Sequence, residues 1–329
     1  MTRAVRAAGA ILAVALVLCG AWFSYAVFVQ RSNPPKTTQI VVPRGSSFRD
    51  IAQQFASAGI VSDAFVFRVY AKLRHADTDV HAGAFQFPAH QTQAQVLDQL
   101  QSGGAQIARW LTIPEGFTAK EIAQRLQDGG FGDASQYYDA FMRDSMYVGR
   151  ARTKNLEGYL FPSTYLIPTD ATPKSVVQIM TAQFLKVLPA DAEQKARAHG
   201  LTVPQVVTLA SLVEREAKAD DERALMAGVY YNRLHLGMPL EVDASIEYAF
   251  PQHHSVITYG DLKTNSPYNT YLHPGLPPTP IANPGRPSLD AAFDPKPSPF
   301  LYYVYKGNGH HAFARTLAEQ TANIAKYLK

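Results

Sequence analysis

The residues from Ala7 to Val29 form an apolar run that contains no charged side chain. Since an α-helix rises about 1.5 Å per residue, a run of this length spans the roughly 30 Å hydrocarbon layer of a bilayer. Trp22 and Tyr25 stand toward its C-terminal end, where interfacial aromatic residues are frequent. A cleavable signal peptide has a shorter apolar core and a small-residue exit site, so the sequence predicts a retained transmembrane helix.

The single cysteine, Cys19, lies within this apolar run. One cysteine excludes an intrachain disulfide and a thiolate metal cluster. Lipoprotein processing would require a small residue before the cysteine, but Leu18 occupies that position. The sequence therefore favours a protein anchor over a lipid anchor.

Composition restricts the remaining possibilities. The 329 residues suffice for one large domain or two ordinary ones, and 47% apolar with 18% charged residues describe a globular chain. The net charge is +4, but Lys and Arg are scattered and do not form the patch typical of nucleic-acid binding. We therefore expect no nucleic-acid partner.

An internal repeat follows a stiff spacer at Asn33-Pro34-Pro35. Residues 40–55 read IVVPRGSSFRDIAQQF, and residues 111–126 read LTIPEGFTAKEIAQRL. A fainter copy at 85–100 reads FQFPAHQTQAQVLDQL. Each copy predicts a short strand, a turn and an amphipathic helix. Such units resemble LysM-type wall-binding modules, and an ordinary α+β scaffold without a ligand fits the pattern equally.

The helix N-caps of this repeat are visible in the sequence. Ser46 or Ser47 precedes the helix of the first copy, and Thr118 precedes that of the second. Hydroxyl side chains at this position accept a hydrogen bond from a free backbone N–H group of the first turn. Both helices are therefore expected to begin directly after these residues.

A further helix carries two candidate carboxyl groups. Residues 203–218 read VPQVVTLASLVEREAK, with Thr202 as the expected N-cap. Its buried stripe consists of Val206, Leu209, Ala210, Val213 and Ala217. Glu214 and Glu216 border this stripe on opposite flanks, and Glu216 has the bulkier apolar neighbours.

A carboxyl group in apolar surroundings has a raised pKa and can protonate a leaving oxygen near neutral pH. Cleavage of a glycosidic bond requires such an acid, which makes Glu216 a candidate. A lone glutamate on a helix is a weak signal, however. From the helix alone, the favoured interpretation is that both glutamates are rim residues paired with Arg215, Lys218 or Arg223.

Several motifs occur in a fixed order along the chain and supply further context. They are IPEG (113–116), EGYLFPSTY (157–165), LASLVEREA (209–217), GVYYNRLHLGMPLEVD (228–243), SPYNTY (266–271), GLPPTPIANPG (275–285), FLYYV (300–304) and HAF (311–313). Together they resemble the YceG-like endolytic transglycosylases, and the match covers the anchor, the LysM-like part and the whole catalytic region.

The resemblance implies endolytic cleavage of the β-1,4 bond between N-acetylmuramic acid and N-acetylglucosamine in nascent peptidoglycan strands. The product carries a 1,6-anhydro ring. The catalytic glutamate of the family is the second one of an ASxxExE motif, which falls on Glu216. One carboxyl group then acts first as acid and then as base, and neither a metal nor a cofactor is implied.

We further assign a set of substrate-binding residues: Glu214, Asn232, Arg233, Asp243, Ser245, Tyr268, Asn269, Thr270 and His311. For Asn232 and Arg233, a structural role in capping and pairing fits slightly better than ligand contact. The chain departs from the family at Asp243-Ala244-Ser245, where Asp-Pro-Thr is common, and at Gln320, where many relatives have His.

Other chemistries are poorly supported. The pairs His253-His254 and His310-His311, with His273, lack metal-ligand spacing such as HExxH. The Gly-x-Ser-x-Gly elbow of serine hydrolases is absent, and Gly307-Asn308-Gly309 reads as a hairpin turn rather than a phosphate loop. Two alternatives stay open: a non-catalytic wall-binding scaffold tethered to the membrane, and a hydrolase of the same bond.

The sequence thus predicts an α+β protein of the bacterial inner membrane with one transmembrane helix. The expected parts are a cytoplasmic tail (1–6), the helix (7–29), a linker (30–37), a LysM-like module (38–105) and a periplasmic catalytic domain (106–329). Because Arg residues flank the helix on both sides, this orientation rests on the expected function. The expected partners are peptidoglycan strands and, by resemblance, penicillin-binding synthases.

Overall fold

A computed structural model describes residues 2–31, 37–78, 80–103, 106–250 and 257–328, with the side chains of 2–6 and 106 left out. The predicted spacer Asn33-Pro34-Pro35 and the pair His253-His254 lie outside these residues. The described chain mixes helices with short sheets, so the predicted α+β class is confirmed.

The secondary structure elements are numbered along the chain. The helices are α1 (Thr2–Phe28), α2 (Phe48–Ser57), α3 (Ala64–Leu73), α4 (Gln93–Ser102), α5 (Ala119–Asp128), α6 (Ala134–Arg143), α7 (Pro173–Val187), α8 (Ala192–Ala198), α9 (Val203–Glu216), α10 (Asp220–His235), α11 (Asp243–Ala249), α12 (Arg286–Phe293) and α13 (Leu317–Tyr327). The strands are β1 (Thr38–Val42), β2 (Gly83–Phe87), β3 (Gln106–Thr112), β4 (Tyr147–Val148), β5 (Ala151–Arg152), β6 (Thr164–Pro168), β7 (Tyr302–Gly307) and β8 (His310–Ala314). A short 3-10 helix spans Asp261–Lys263.

The chain divides into two compact units. Unit 1 comprises Met1–Leu111 and Tyr165–Asp170, and unit 2 comprises Thr112–Thr164 and Ala171–Lys329. In the four-stranded sheet the strand order is β1-β2-β3-β6, with β1 antiparallel to β2 and β2 antiparallel to β3. The predicted boundary between a LysM-like module and a catalytic domain at residues 105 and 106 stays a prediction.

The three repeat copies fold as strand, turn and helix, in the pairs β1–α2, β2–α4 and β3–α5. Their helices begin after Ser47, Thr92 and Thr118, each of which accepts a backbone hydrogen bond from the first turn. In the Pro-x-Gly turns, Gly45 and Gly116 have φ of 77° and 75°. Glycine adopts this left-handed conformation without the steric cost that a Cβ atom brings, which explains why both copies have it.

Helix α1 is long and apolar enough to cross a membrane between Ala7 and Phe28, and it is the one such helix among the described residues. Most of this stretch is exposed, but its last turns pack on unit 1. Ala26 and Val27 are buried, and the Gln93 side-chain amide donates to the Ala26 carbonyl at 3.1 Å. The ring of Phe28 lies edge-on to Tyr70. The end of the candidate anchor is therefore part of the unit 1 core.

The core of unit 2 surrounds α9. The predicted stripe of this helix is buried, together with Val207, Leu212 and neighbouring residues from α10 and α12. At its start, the backbone N–H of Thr202 donates to the Gln205 side chain at 2.9 Å. The helix ends at Glu216, two residues before the predicted end, because Ala217 leaves the helical conformation with ψ of 127°. Glu216 is therefore the last helical residue.

In the proline-rich region from Pro239 to Pro299, the residues that the structure describes, 239–250 and 257–299, form three short elements: α11, the 3-10 helix and α12. Pro287 lies in the first turn of α12, where the missing N–H of proline costs no hydrogen bond. After this region, β7 and β8 pair antiparallel. The hairpin turn predicted at Gly307-Asn308-Gly309 is thus confirmed, and β7 brings Tyr303 to the end of α9.

Candidate active site

Glu216 stands where α9, α11 and β7 meet. The Tyr303 hydroxyl on β7 donates a hydrogen bond to Glu216 Oε2 at 3.2 Å. The backbone N–H of Ala244, in the first turn of α11, also donates to this carboxyl group. The side chain is partly buried, so it is withdrawn from bulk solvent and still reachable from outside.

The surroundings of Glu216 favour its protonated form. The pKa of Glu216 is raised to about 7, first by burial and then by the negative charge of Asp243. The hydrogen bond from Tyr303, the charge of Lys218 and the hydrogen bond from Ala244 act in the opposite direction. The net result is a carboxyl group that holds its proton up to neutral pH, as an acid catalyst must.

A second tyrosine extends the contact. The hydroxyls of Tyr230 and Tyr303 are 2.8 Å apart, and since Tyr303 donates to Glu216, Tyr230 is placed to donate to Tyr303. Burial and the nearby Glu216 charge raise the pKa of both tyrosines well above the ordinary value. Both hydroxyls thus stay protonated and form a fixed chain of donors. Gln320 holds this strand by donating to the Tyr303 carbonyl at 2.8 Å.

The start of α11 is built from three of the predicted residues. Asp243 is exposed and accepts a hydrogen bond from the Tyr271 hydroxyl at 2.7 Å. Ser245 and Thr270 are buried, with their hydroxyls 2.9 Å apart, and Thr270 also accepts from the Val242 backbone. These two hydroxyls join the SPYNTY segment to α11 and so fix the position of Asp243.

Glu214 lies in different surroundings from Glu216. It accepts a hydrogen bond from the Gly285 backbone at 3.0 Å, and Arg223 approaches it to 3.6 Å. The pairing considered for both glutamates is thus found for Glu214. The donors to Glu216 are neutral by contrast, and Arg215 pairs with Glu247 at 3.0 Å.

The remaining predicted residues support the backbone around the site. Asn232 donates to the Ser298 and Phe300 carbonyls, Arg233 donates to the Leu301, Pro239 and Leu240 carbonyls, and Asn269 donates to the Leu262 and Thr264 carbonyls. Tyr268 shares a hydrogen bond with Thr279 at 2.7 Å, and buried His311 contacts Glu222 at 2.9 Å. These are the contacts of a structural role, and contact with a ligand stays a prediction for each residue.

Sequence reasoning assigned no role to Tyr230, Tyr271, Tyr303 or Glu157. All four lie inside motifs that carry the family resemblance, so the sequence marked these residues but did not indicate what they do. Glu157 is buried, with 1% of its surface exposed, and burial raises its pKa to about 7. Unit 2 thus contains a second carboxyl group that titrates near neutral pH.

The described residues contain no group of three or more His, Cys, Asp or Glu side chains suited to a metal ion. His311 is engaged by Glu222, and His310 approaches Asp221 at 3.7 Å.

The fold and the site define an α+β protein in which Glu216, the last residue of the buried helix α9, carries a proton up to neutral pH. This carboxyl group accepts a hydrogen bond from Tyr303, whose hydroxyl is in turn hydrogen-bonded to Tyr230. The chain belongs to the YceG-like family, whose model matches residues 40–326. The resemblance drawn from its motifs is thereby confirmed.

Curated relatives agree with this assignment. An endolytic murein transglycosylase of Streptococcus pneumoniae (strain D39) is 30% identical over 352 residues, which cover 96% of this chain and 64% of that protein. An endolytic murein transglycosylase of Bacillus subtilis (strain 168) is 31% identical, over 89% of this chain and 85% of that protein. The chain thus spans slightly less than two thirds of the pneumococcal relative.

A solved structure is similar as well. The crystal structure of a yceG-like protein from Listeria monocytogenes matches with a TM-score of 0.60 and 27% identity, covering 88% of this chain and 99% of that one. The likeness therefore extends over nearly the whole fold.

Proposed function

We propose that this chain is an endolytic lytic transglycosylase that cleaves the bond between N-acetylmuramic acid and N-acetylglucosamine inside peptidoglycan strands. The observation that carries the proposal is the Glu216 carboxyl group, with its pKa raised to about 7 beside Tyr303 and Ala244. The names of the pneumococcal and Bacillus relatives, endolytic murein transglycosylases, support the reaction class.

The reaction needs one carboxyl group in two successive roles. In the first step, protonated Glu216 donates its proton to the glycosidic oxygen as the bond to the anomeric carbon breaks. In the second step, the Glu216 carboxylate removes the proton from the 6-hydroxyl of the muramic acid, whose oxygen bonds to the anomeric carbon. The result is a 1,6-anhydro end, and Glu216 has recovered its proton.

The neighbours of Glu216 support both roles. Asp243 raises the pKa of Glu216 and favours the acid form before cleavage, whereas the Tyr303 hydrogen bond and the Ala244 N–H stabilise the carboxylate that forms during it. Asp243 is exposed beside the catalytic carboxyl group, and its charge favours the positively charged sugar of the transition state. We assign the other predicted residues, from Glu214 to His311, to shaping and binding the substrate groove.

We further propose that α1 anchors the chain in the bacterial inner membrane, with residues 1–6 in the cytoplasm and the catalytic part in the periplasm. The length and apolar character of α1 support the anchor. The repeat region 38–105 is assigned as a LysM-like module and 106–329 as the catalytic domain. Cleavage near the membrane would end strand elongation, which suggests penicillin-binding synthases as partners.

Mass spectrometry of digested, uncrosslinked peptidoglycan tests the reaction. The wild-type chain and its Glu216→Gln variant are incubated with the same strands, and the fragments are weighed. Internal fragments with anhydro ends from the wild type alone are the expected result. Fragments heavier by one water would identify a hydrolase, and binding without cleavage would identify a wall-binding scaffold.

A further inference from the structure

A cavity of about 620 Å³ in unit 2 lies beside α11. Its lining includes four aromatic rings, those of Tyr138, Tyr248, Phe250 and Tyr268. Glu157 contributes to the same lining. The rings of Tyr248 and Tyr268 are 5.0 Å apart with their planes inclined by 54°. Tyr138 is 38% exposed, so this ring is reachable from solvent. The cavity is therefore open and largely aromatic.

The Glu157 carboxyl group is held by neutral donors. It accepts hydrogen bonds from the Ala119 backbone at 3.0 Å, from the Asn283 amide at 2.9 Å and from the Tyr248 hydroxyl at 3.1 Å. These donors orient the carboxylate and share its charge, but none of them is a cation. Because a buried carboxylate without a counter-charge is costly, burial raises the pKa of Glu157 to about 7, and a cation beside it would favour the ionised form.

The aromatic rings favour the same kind of ligand. The face of a tyrosine or phenylalanine ring attracts a cation within about 6 Å of its centre, and the attraction grows when water is excluded. The lining also includes Lys120, Arg215, Glu121 and Glu247, and Arg215 is paired with Glu247 at 3.0 Å. With Glu157, the lining has three carboxyl groups and two basic groups. When Glu157 is ionised, the lining therefore has an excess of one negative charge, which a positively charged ligand balances and an anion does not.

The cavity is connected to the candidate active site through α11. Ala244 lines the cavity, and its backbone N–H donates to Glu216. Glu247 and Tyr248 lie farther along the same helix, whose seven residues extend about 10 Å. A branched polymer lying at Glu216 can therefore place a side branch in the cavity.

We propose that this cavity binds a primary ammonium group on a side branch of the substrate. The inference rests on the proposed function, because in peptidoglycan such a group is the free amine of the diamino acid in an uncrosslinked stem peptide. A cross-link made through this amine turns it into an uncharged amide and removes the charge that the cavity recognises. The site thereby favours stem peptides whose diamino acid amine is free.

The test measures binding by the full-length Glu216→Gln chain in detergent, so that no strand is cleaved. The probes are uncrosslinked strands with free diamino acid amines and the same strands after N-acetylation with acetic anhydride. Because acetylation removes the charge that the aromatic rings attract, it should weaken binding about tenfold. Equal binding of the two strands would overturn the proposal.

Variants of the cavity localise the effect. In the Glu216→Gln background, Tyr138→Leu keeps an apolar side chain but removes the ring, and it should lower the tenfold ratio to about threefold. Glu157→Gln should lower the ratio further. The control Tyr147→Leu changes a tyrosine that is 68% exposed and outside the cavity lining, and it should leave the ratio unchanged. A ratio that survives both cavity variants would contradict the assignment.

Two further outcomes separate this inference from the proposed reaction. Strands stripped of their peptides should bind as weakly as the acetylated strands. If the stripped strands bind as tightly as strands with free amines, the cavity binds the sugar chain instead of the amine, and the proposal fails. If the ratio is found but the wild type produces no anhydro ends, the proposed reaction fails and the ammonium site stands.

Discussion

Two carboxyl groups of unit 2, Glu216 and Glu157, both have a pKa raised to about 7 by burial, but they differ in their surroundings. Glu157 is 1% exposed and accepts hydrogen bonds from three separate segments. Glu216 is partly exposed at the end of a helix, with Tyr303 and one backbone N–H as donors. Both carboxyl groups thus retain a proton up to neutral pH, but only the partly exposed group, Glu216, can pass its proton to a substrate.

Substitution of each carboxyl group gives the largest expected difference between the two regions. Glu216→Gln cannot donate a proton and should lower the cleavage rate about a thousandfold, which is within the usual range for a general acid. Glu157→Gln should lower it no more than about tenfold, because Glu157 acts on binding. The rates are measured as anhydro ends formed per unit time, with thermal unfolding as the control for folding. An equal decrease of the cleavage rate in the two variants would show that the two carboxyl groups do not have separate roles in catalysis and binding.

The pH dependence of cleavage sharpens the comparison. The first step needs protonated Glu216, so kcat/KM should fall above pH 7, about tenfold for each further pH unit. The same decrease should persist in Glu157→Gln, since Glu157 is not the group that gives up the proton. A rate that is flat from pH 6 to pH 9 in the wild type would contradict the acid role of Glu216.

The stability of the fold should depend on pH through Glu157. Its pKa is 4.5 ordinarily and about 7 in the folded chain, so between these values the folded state holds a proton that the unfolded state has lost. The free energy of unfolding therefore decreases as the pH rises from 4.5 to 7, by up to about 3 kcal/mol.

Glu157→Gln should remove this part of the decrease, which chemical denaturation at pH 5 and pH 8 measures. The wild-type difference between the two pH values should exceed that of the variant by up to about 3 kcal/mol. If both chains lose the same free energy between the two pH values, Glu157 does not hold a proton in the folded state.

The smallest expected effect concerns the Tyr303 hydroxyl. Its hydrogen bond lowers the pKa of Glu216, so Tyr303→Phe should move the decrease of kcat/KM to higher pH and change the maximal rate only a few-fold. Tyr305→Phe is the matched control, because the Tyr305 hydroxyl accepts from the Gly309 backbone instead. A shift to lower pH in Tyr303→Phe would show that the hydroxyl does not stabilise the carboxylate.

Local signals in the sequence predicted much of the fold. The N-caps at Ser47 and Thr118 and the stripe on α9 follow from hydrogen bonding and periodicity within a few residues. The end of α9 was predicted two residues late, because Ala217 and Lys218 continue an acceptable helical pattern and only the tertiary structure ends the helix at Glu216.

The details of the site could not be predicted in the same way. Tyr303 is 87 residues from Glu216 along the chain, and Gln320, which had no explanation from the sequence, supports the Tyr303 backbone. Glu157 is joined to Asn283 across 126 residues. Such contacts depend on how distant segments pack, and neither propensity nor periodicity carries that information.

The most direct test of the central claim is the titration of the Glu216 carboxyl group itself. Infrared difference spectra of the full-length chain and its Glu216→Gln variant isolate the C=O band of protonated Glu216. We expect this band to disappear as the pH rises, with a midpoint near pH 7. The Glu157→Gln variant should show the same band with the same midpoint. A midpoint near the ordinary value of 4.5 would show that Glu216 carries no proton at neutral pH and would contradict its role as the acid.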